Sequence, residues 1–418
     1  MVSFKESIER LITESSADIN ESDLDRVQME LEGFIDDLLS SSENKYFDEI
    51  KAKKRHYFLF RDKNIVPERV VIIGDIHCDF TSLAGILRKL CLSQYDYYGK
   101  AYFVFLGDYI DRGALPLQTF RLLFNLKKLL GERCVLLKGN HDMFYSDDEK
   151  KEIYSKVNPA ETICLMNQFF KKETILKFKQ FFDSLPYFLI LERKEKRILF
   201  VHGGIPKDYN LDPGILSAVF NASNHLSPEE KTDTHLMKML NSMLWGDPVN
   251  TDFKIIGSDS RFEFGSEQFW AFMKKYNFTH MIRGHEPKRD GFEPKYENHL
   301  YTVFSTGGEL NENSFYSEDV PDPAFAVINE NGEINPESIF KYKIRIEPVT
   351  KKNEQLHLPE DDRELQRDRG NIQPGEVTQQ IKPEPATTSH LNPEFYLSLD
   401  QKGLPTYFNE KVYQLIKD

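Results

Sequence analysis

Residues 70–79 read VVIIGDIHCD: four apolar residues, a glycine, then an aspartate and a histidine separated by one residue. A bounded apolar run this short fits a buried strand, and the glycine lets the chain turn sharply where the polar pair begins. The same order recurs four more times. VFLGDYIDRG at 104–113 presents Asp108, Asp111 and Arg112; LLKGNHD at 136–142 presents Asn140, His141 and Asp142; LFVHGG at 199–204 presents His202; MIRGHEP at 281–287 presents His285. One histidine after an apolar run is usually a core or capping residue. Five strand endings carrying metal-competent side chains point to a single shared site.

Working outward from these endings, the segment from about Val66 to Arg345 alternates short β-rich runs (RVVIIG, AYFVFLG, CVLLKG, ILFVHGG, HMIRGH, YTVFST, AFAVI) with helical stretches. That alternation predicts a layered α/β fold. Ser82–Leu92 and Leu117–Leu130 have helical periodicity directly after the first two runs, so Asp75, His77, Asp108, Asp111 and Arg112 fall in strand-to-helix turns, where α/β folds commonly place their chemistry. His280 and Trp245 read as core residues. Asp247 reads either as support for a ligand or as a turn residue before Pro248.

Upstream, the spacings of Phe4, Ile8, Leu11 and Ile12, and of Leu24, Val27, Leu31, Phe34, Ile35 and Leu38, predict two amphipathic helices, the second capped by Ser22. Such a hairpin most simply packs in cis on the main body. Residues 143–185, with Phe169, Phe170, Phe178, Phe181 and Phe182, read as an inserted helical block. From about Glu347 the composition turns to Pro, Gln, Glu, Asp and Lys, and NIQPGEVTQQIKPEPATTSH at 371–390 reads as a linker. The expected organisation is a helical region at 1–55, a catalytic domain at 56–345 and a linker with a C-terminal tail at 346–418. A protein partner for the N-terminal helices or the tail is the alternative to docking in cis.

The 418 residues carry a net charge of -13, which disfavours the broad basic surface that nucleic-acid binding needs. Four cysteines without a CxxC pair suit free thiols in a reducing compartment. The first residues carry charge and lack an apolar core, and no stretch of about eighteen apolar residues occurs. The expectation is a cytoplasmic protein without a membrane span; export by a route that reads another kind of signal stays open. No cysteine has an arginine six positions later, which excludes a cysteine-dependent phosphatase, and no P-loop is present.

Carboxylate oxygen and imidazole nitrogen without thiolate suit manganese, iron or zinc better than calcium. Asp75 and His77 can direct two donors to one ion, and Asp108 has two oxygens with which to bridge two. Taken together, the boxes resemble those of the PPP phosphatases, which have the calcineurin-like metallophosphoesterase fold. GDIHCD resembles GD-x-H-G, GDYIDRG resembles GD-x-VDRG, and GNHD resembles GNHE. MLWGDP at 243–248, FEFG at 262–265, RGHE at 283–286 and YTVFST at 301–306 follow in the family's order. The resemblance spans about Val70 to Ile328 and implies a central β-sandwich flanked by helices.

It further implies two divalent ions, manganese first, with iron or zinc as alternatives. Asp75, His77 and Asp108 would hold the first ion, and Asp108, Asn140, His202 and His285 the second. A hydroxide shared by the ions would attack a phosphate monoester in line. His141, oriented by Asp111, would be the general acid. Arg112, Asn140 and Arg261 would bind the phosphate, although Arg261 lies off the register of the family's second arginine. The implied partner is a phosphorylated protein or peptide. Three departures bear on selectivity: Cys78 replaces a glycine, Asp142 replaces the glutamate of GNHE as in dinucleoside tetraphosphate hydrolases, and STGGELNENS after Phe304 lacks the SAPNY pattern. The last departure leans toward the bacterial-type branches and leaves phosphoserine or phosphothreonine against phosphotyrosine open. A dinucleoside polyphosphate hydrolase is the alternative activity.

Overall fold

The computed structural model describes residues 4–40, 57–60, 68–147, 152–158, 160–193, 195–207, 234–252 and 262–339. Helices α1 (Phe4–Ser15) and α2 (Leu24–Ser40) come first. Strands β1 (Tyr57–Phe60), β2 (Val70–Ile73), β3 (Tyr102–Phe105) and β4 (Cys134–Leu136) follow, with α3 (Phe80–Leu92), the short α4 (Tyr97–Lys100) and α5 (Pro116–Leu130) between them. The inserted block holds β5 (Phe144–Asp147), β6 (Glu152–Ser155), α6 (Glu161–Phe169) and α7 (Lys172–Ser184). Then come β7 (Phe188–Arg193), β8 (Lys196–Val201), the small pair β9 (Gly246–Pro248) and β10 (Phe262–Phe264), β11 (His280–Arg283), β12 (Phe292–Lys295), β13 (Leu300–Val303), β14 (Ala324–Ile328) and β15 (Ile334–Ser338).

Two sheets form the body, in the orders β15-β14-β2-β3-β4 and β1-β7-β8-β11-β13-β12. Within the first, β2, β3 and β4 run parallel, and within the second so do β8, β11 and β13. Side-chain alternation explains why the apolar runs are continuous. Val70, Ile72, Val104 and Val135 face Leu189, Ile198, Phe200 and Ile282 across the sandwich, while Val71, Ile73, Phe103 and Phe105 face the helices. The outer face of the second sheet, with Ile190, Leu199 and Met281, packs on helices 234–242 and 266–275 through Met239, Leu240, Phe269 and Phe272. Each fully buried side chain of this kind contributes roughly 1.5–3 kcal/mol. The result is a helix–sheet–sheet–helix sandwich.

Ile8, Leu11, Ile12, Val27, Leu31 and Ile35 sit in the same apolar cluster as Phe120, Phe124, Phe178 and Phe182, so the N-terminal hairpin covers α5 and α7 in cis. Ser22 does not cap α2: it lies in a short 3-10 turn and its hydroxyl donates to Asn20 Oδ1 at 2.5 Å. The inserted block is not wholly helical. It opens with the β5–β6 hairpin, in which Tyr145 faces Tyr154 and their rings stack at 5.7 Å, a cross-strand aromatic pair that favours strand over helix. His280 is half-buried because it is the first residue of β11, at the end of the face it shares with Ile282, and its ring stacks beside those of His299 and Tyr301. No helix among the described residues is long and apolar enough to cross a membrane. The tail from 340 lies outside the described residues.

Candidate functional site

Because the parallel strands of both sheets point their carboxyl ends the same way, the loops after β2, β3, β4, β8 and β11 meet at one edge of the sandwich. Isolated pairing of Asp75 with Phe304, and a Gly74 N–H bond to Ser305 Oγ at 2.8 Å, tie the end of β2 to the chain leaving β13. His77, Asp108, Asp111, Arg112 and His285 all have φ between 44° and 74°, a left-handed backbone that side chains other than glycine adopt reluctantly. Such strain persists only where surroundings enforce it. Here the Ile76 and His77 N–H groups donate to the Asp108 carbonyl at 3.0 and 2.9 Å, and the His285 N–H donates to Asp75 Oδ1 at 2.9 Å. A Cβ at Gly139 would overlap Asp108 Oδ1, so the close approach of these two turns requires glycine.

The donors converge as two groups that share Asp108: His77, Asp108 and His141 in one, Asp108, His202 and His285 in the other. His77 Nε2 lies 3.7 Å from Asp75 Oδ2 and 3.5 Å from Asp108 Oδ2; His202 Nε2 lies 3.3 Å from Asp108 Oδ2 and 2.7 Å from Asn140 Oδ1. Ligands about 2.1 Å from a common ion are roughly 3–4 Å apart, which these separations match. The ring orientations agree. His77 donates Nδ1–H to the Ile110 carbonyl at 2.7 Å and His202 donates Nδ1–H to the Leu106 carbonyl at 3.0 Å, which turns both Nε2 atoms into the site.

Two further observations test whether the residues suit cations. Asp75 Oδ2 is buried and makes no hydrogen bond, and burial, only partly offset by His202, pushes the Asp75 carboxyl up to about 7. His202 Nε2 and Asn140 Oδ1 face each other at 2.7 Å, a contact that needs either a proton on Nε2 or a cation shared by the two atoms. Burial opposes the charged ring, but Asp108 outweighs it and raises the His202 imidazole to about 9. Asp108 itself is held well below the usual carboxylate range, because His202, His141 and His77 overcome its burial. The oxygen and nitrogen donors of the cluster fit divalent metal.

Around this centre, His141 Nδ1 bonds Asp111 Oδ2 at 2.7 Å and the His141 N–H donates to Asp108 Oδ1 at 2.9 Å. Burial disfavours the imidazolium, yet Asp108 and Asp111 together raise the His141 pKa. His141 is also within ligand distance of His77 and Asp108, so geometry alone leaves Nε2 open to either a proton or an ion. Arg112 Nη1 is held by the Tyr316 hydroxyl, with its guanidinium 5.5 Å from that ring. Arg261 lies outside the described residues.

Several contributors have weaker sequence signals. Asp142 Oδ2 accepts the Asp108 and Gly139 N–H groups, both at 2.8 Å, and Oδ1 accepts Tyr109 N–H at 3.0 Å, so it clamps two turns together. Asp79 N-caps α3 through Ser82 N–H at 2.9 Å and also receives Thr306 Oγ1 and Asn311 Nδ2, joining the first loop to residues 306–314. Its D-x-x-S spacing before an apolar helix was the available signal. Asp247 Oδ1 pairs with buried Arg283 Nη2 at 3.1 Å and lies 3.7 Å from His285 Nε2, beyond hydrogen-bond length. Trp245 is half-buried, edge-on to the His285 ring at 5.7 Å.

The sandwich and its mixed oxygen and nitrogen donors define a metal-binding α/β protein of the phosphoesterase class. A calcineurin-like phosphoesterase family profile matches residues 68–289, more than half of the chain, and the chain belongs to that family. It is 26% identical over 285 residues to a chain of Encephalitozoon cuniculi named serine/threonine-protein phosphatase, covering 65% of this chain and 54% of that one. It is 26% identical over 260 residues to a Schizosaccharomyces pombe chain of the same name, covering 59% and 73%. The chain thus spans about half the length of the first relative. Among solved structures, a Saccharomyces cerevisiae protein serine/threonine phosphatase with similarity to human phosphatase PP5 superposes with a TM-score of 0.51 at 19% identity, covering 77% of this chain and 90% of that chain, a likeness of fold.

Proposed function

We propose that the chain is a metal-dependent phosphoprotein phosphatase that hydrolyses phosphate monoesters with two divalent ions, manganese first. The observation that carries this reading is the convergence of His77, His202 and His285 on Asp108, beside the His141–Asp111 pair and a half-buried arginine. Asp75, His77 and Asp108 would hold one ion, and Asp108, Asn140, His202 and His285 the other. Bound there, the ions would lower the proton affinity of water and offset the charge of the phosphate. Arg112, with Asn140, would bind the phosphate oxygens, a contact for which a planar guanidinium suits two oxygens at once. His141 would donate from Nε2 to the departing oxygen, its Nδ1–H fixed by Asp111. Names of relatives favour phosphoserine and phosphothreonine, and phosphotyrosine remains in the proposed range because the 306–320 loop and the inserted block border the site.

A dinucleoside polyphosphate hydrolase has less support. Its sequence signal was Asp142, whose carboxylate is engaged by three backbone N–H groups and is spent on holding the turns. Turnover of a phosphopeptide panel against diadenosine tetraphosphate separates the two. Phosphopeptide hydrolysis with little or none of the dinucleotide is expected, and the reverse preference would overturn the proposal.

A further inference from the structure

The inserted block does more than widen the fold around the site. Helix α6 begins after Ala160, which supplies no side-chain cap, so its first-turn N–H groups need acceptors from elsewhere. One comes from the loop after β3: the Thr162 N–H donates to Asp111 Oδ1 at 3.0 Å, and in return the Asp111 N–H donates to Thr162 Oγ1 at 2.9 Å. The other carboxylate oxygen, Oδ2, bonds His141 Nδ1 at 2.7 Å. Thr162 is 2% exposed, and its hydroxyl also lies 3.6 Å from Cys78 Sγ in the first loop.

We propose that Thr162 is a positioning residue for the histidine–aspartate pair, the outer member of a chain Thr162–Asp111–His141 through which the inserted block fixes the direction in which His141 presents Nε2. This rests on the reading of His141 as general acid. Three features carry it. Asp111 sits at φ 64°, a backbone that must be held from outside, and the reciprocal pair with Thr162 holds it. The Thr162 N–H at the start of α6 occupies Asp111 Oδ1 and leaves Oδ2 to accept the His141 Nδ1–H, which selects one ring orientation. Thr162 makes its short hydrogen bonds to Asp111 and none to Asp75, Asp108 or His202, and its longer contact with the Cys78 thiol is a weak one, so Asp111 is the main route for its effect.

Thr162→Val keeps the shape and the helix N–H but removes the acceptor for the Asp111 N–H; Thr162→Ser restores it. On the metal-loaded enzyme, Thr162→Val is expected to lower kcat for a phosphoserine peptide roughly 10-fold, with a smaller loss for 4-nitrophenyl phosphate, whose leaving group needs less protonation. KM and bound metal should hardly change, and Thr162→Ser should recover most of the loss. Equal losses on both esters, or a serine variant as poor as the valine, would overturn the proposal. A second readout needs no turnover: the low-field Nδ1–H proton resonance of His141, assigned by its disappearance in His141→Asn. It should move in Thr162→Val and return in Thr162→Ser, and an unmoved resonance contradicts the positioning role. If that resonance responds as expected while His141→Asn shows no leaving-group dependence, Thr162 does position the pair and the acid role of His141 is what fails.

Discussion

At the carboxyl ends of the parallel strands, six residues other than glycine (His77, Cys78, Asp108, Asp111, Arg112 and His285) have left-handed backbones, and side chains are spent on ties between loops. On the helical face of the first sheet, α1, α2, α5 and α7 are regular, and Phe120, Phe124, Phe178, Phe181 and Phe182 interlock with ring centroids 4.9–6.4 Å apart. Each strained residue costs on the order of 1–3 kcal/mol, and buried aromatic area on the other face offsets it. The contrast predicts that substitutions in the two regions fail differently: loss of chemistry with the fold intact at the strand ends, loss of stability with the chemistry intact among the helices.

The largest effect is expected at Asp108. Asp108→Asn keeps an oxygen to accept the His141 N–H, and asparagine tolerates positive φ, so the change isolates the charge. Both donor groups should lose affinity, and turnover should fall by roughly 10³-fold or more, several kcal/mol of charge stabilisation. Metal analysis of the purified variant checks this, and full occupancy by two ions would break the bridging role.

His141→Asn comes next. It should retain both metals and slow hydrolysis by about 10²–10⁴ for an alkyl phosphate, with a smaller loss for an activated aryl phosphate. Loss of one metal would instead make His141 a ligand, the other role its geometry allows.

Among the helices, Phe178→Ala should cost about 3–5 kcal/mol, because it opens a void between α5 and α7. Thermal unfolding measures it, and unchanged kcat per folded molecule at low temperature is the accompanying expectation. Smaller still is Gln28→Ala. Gln28 Oε1 accepts the Lys171 N–H at 2.8 Å and Thr174 Oγ1 at 3.2 Å, so its removal should cost about 1–2 kcal/mol and loosen α2 from α7 without touching turnover. A loss of activity in either helical variant at full folding would mean that the hairpin takes part in the chemistry.

The two regions also differ in how they can be read from sequence. Ligand types recur after apolar runs because the strands are buried on both faces and their ends carry the donors, so Asp75, His77, Asp108, Asn140, His202 and His285 stand out without any structure. The helices α1, α2, α3 and α5 follow from periodicity. What could not be read are contacts between segments far apart in the chain: Tyr316 on Arg112, Thr162 on Asp111, and Arg283 with Asp247. Each is an ordinary residue in its local context and acquires its role only when two loops meet. The β5–β6 hairpin was hidden for a related reason, since it is short, charged and defined by the pairing of Tyr145 with Tyr154.

The measurement that bears most directly on the central claim is hydrolysis of a phosphopeptide by protein stripped of metal with a chelator and then resupplied with manganese. Activity should vanish on stripping and return with manganese, saturating at two ions per chain. Full activity in metal-free protein would contradict the two-ion phosphatase.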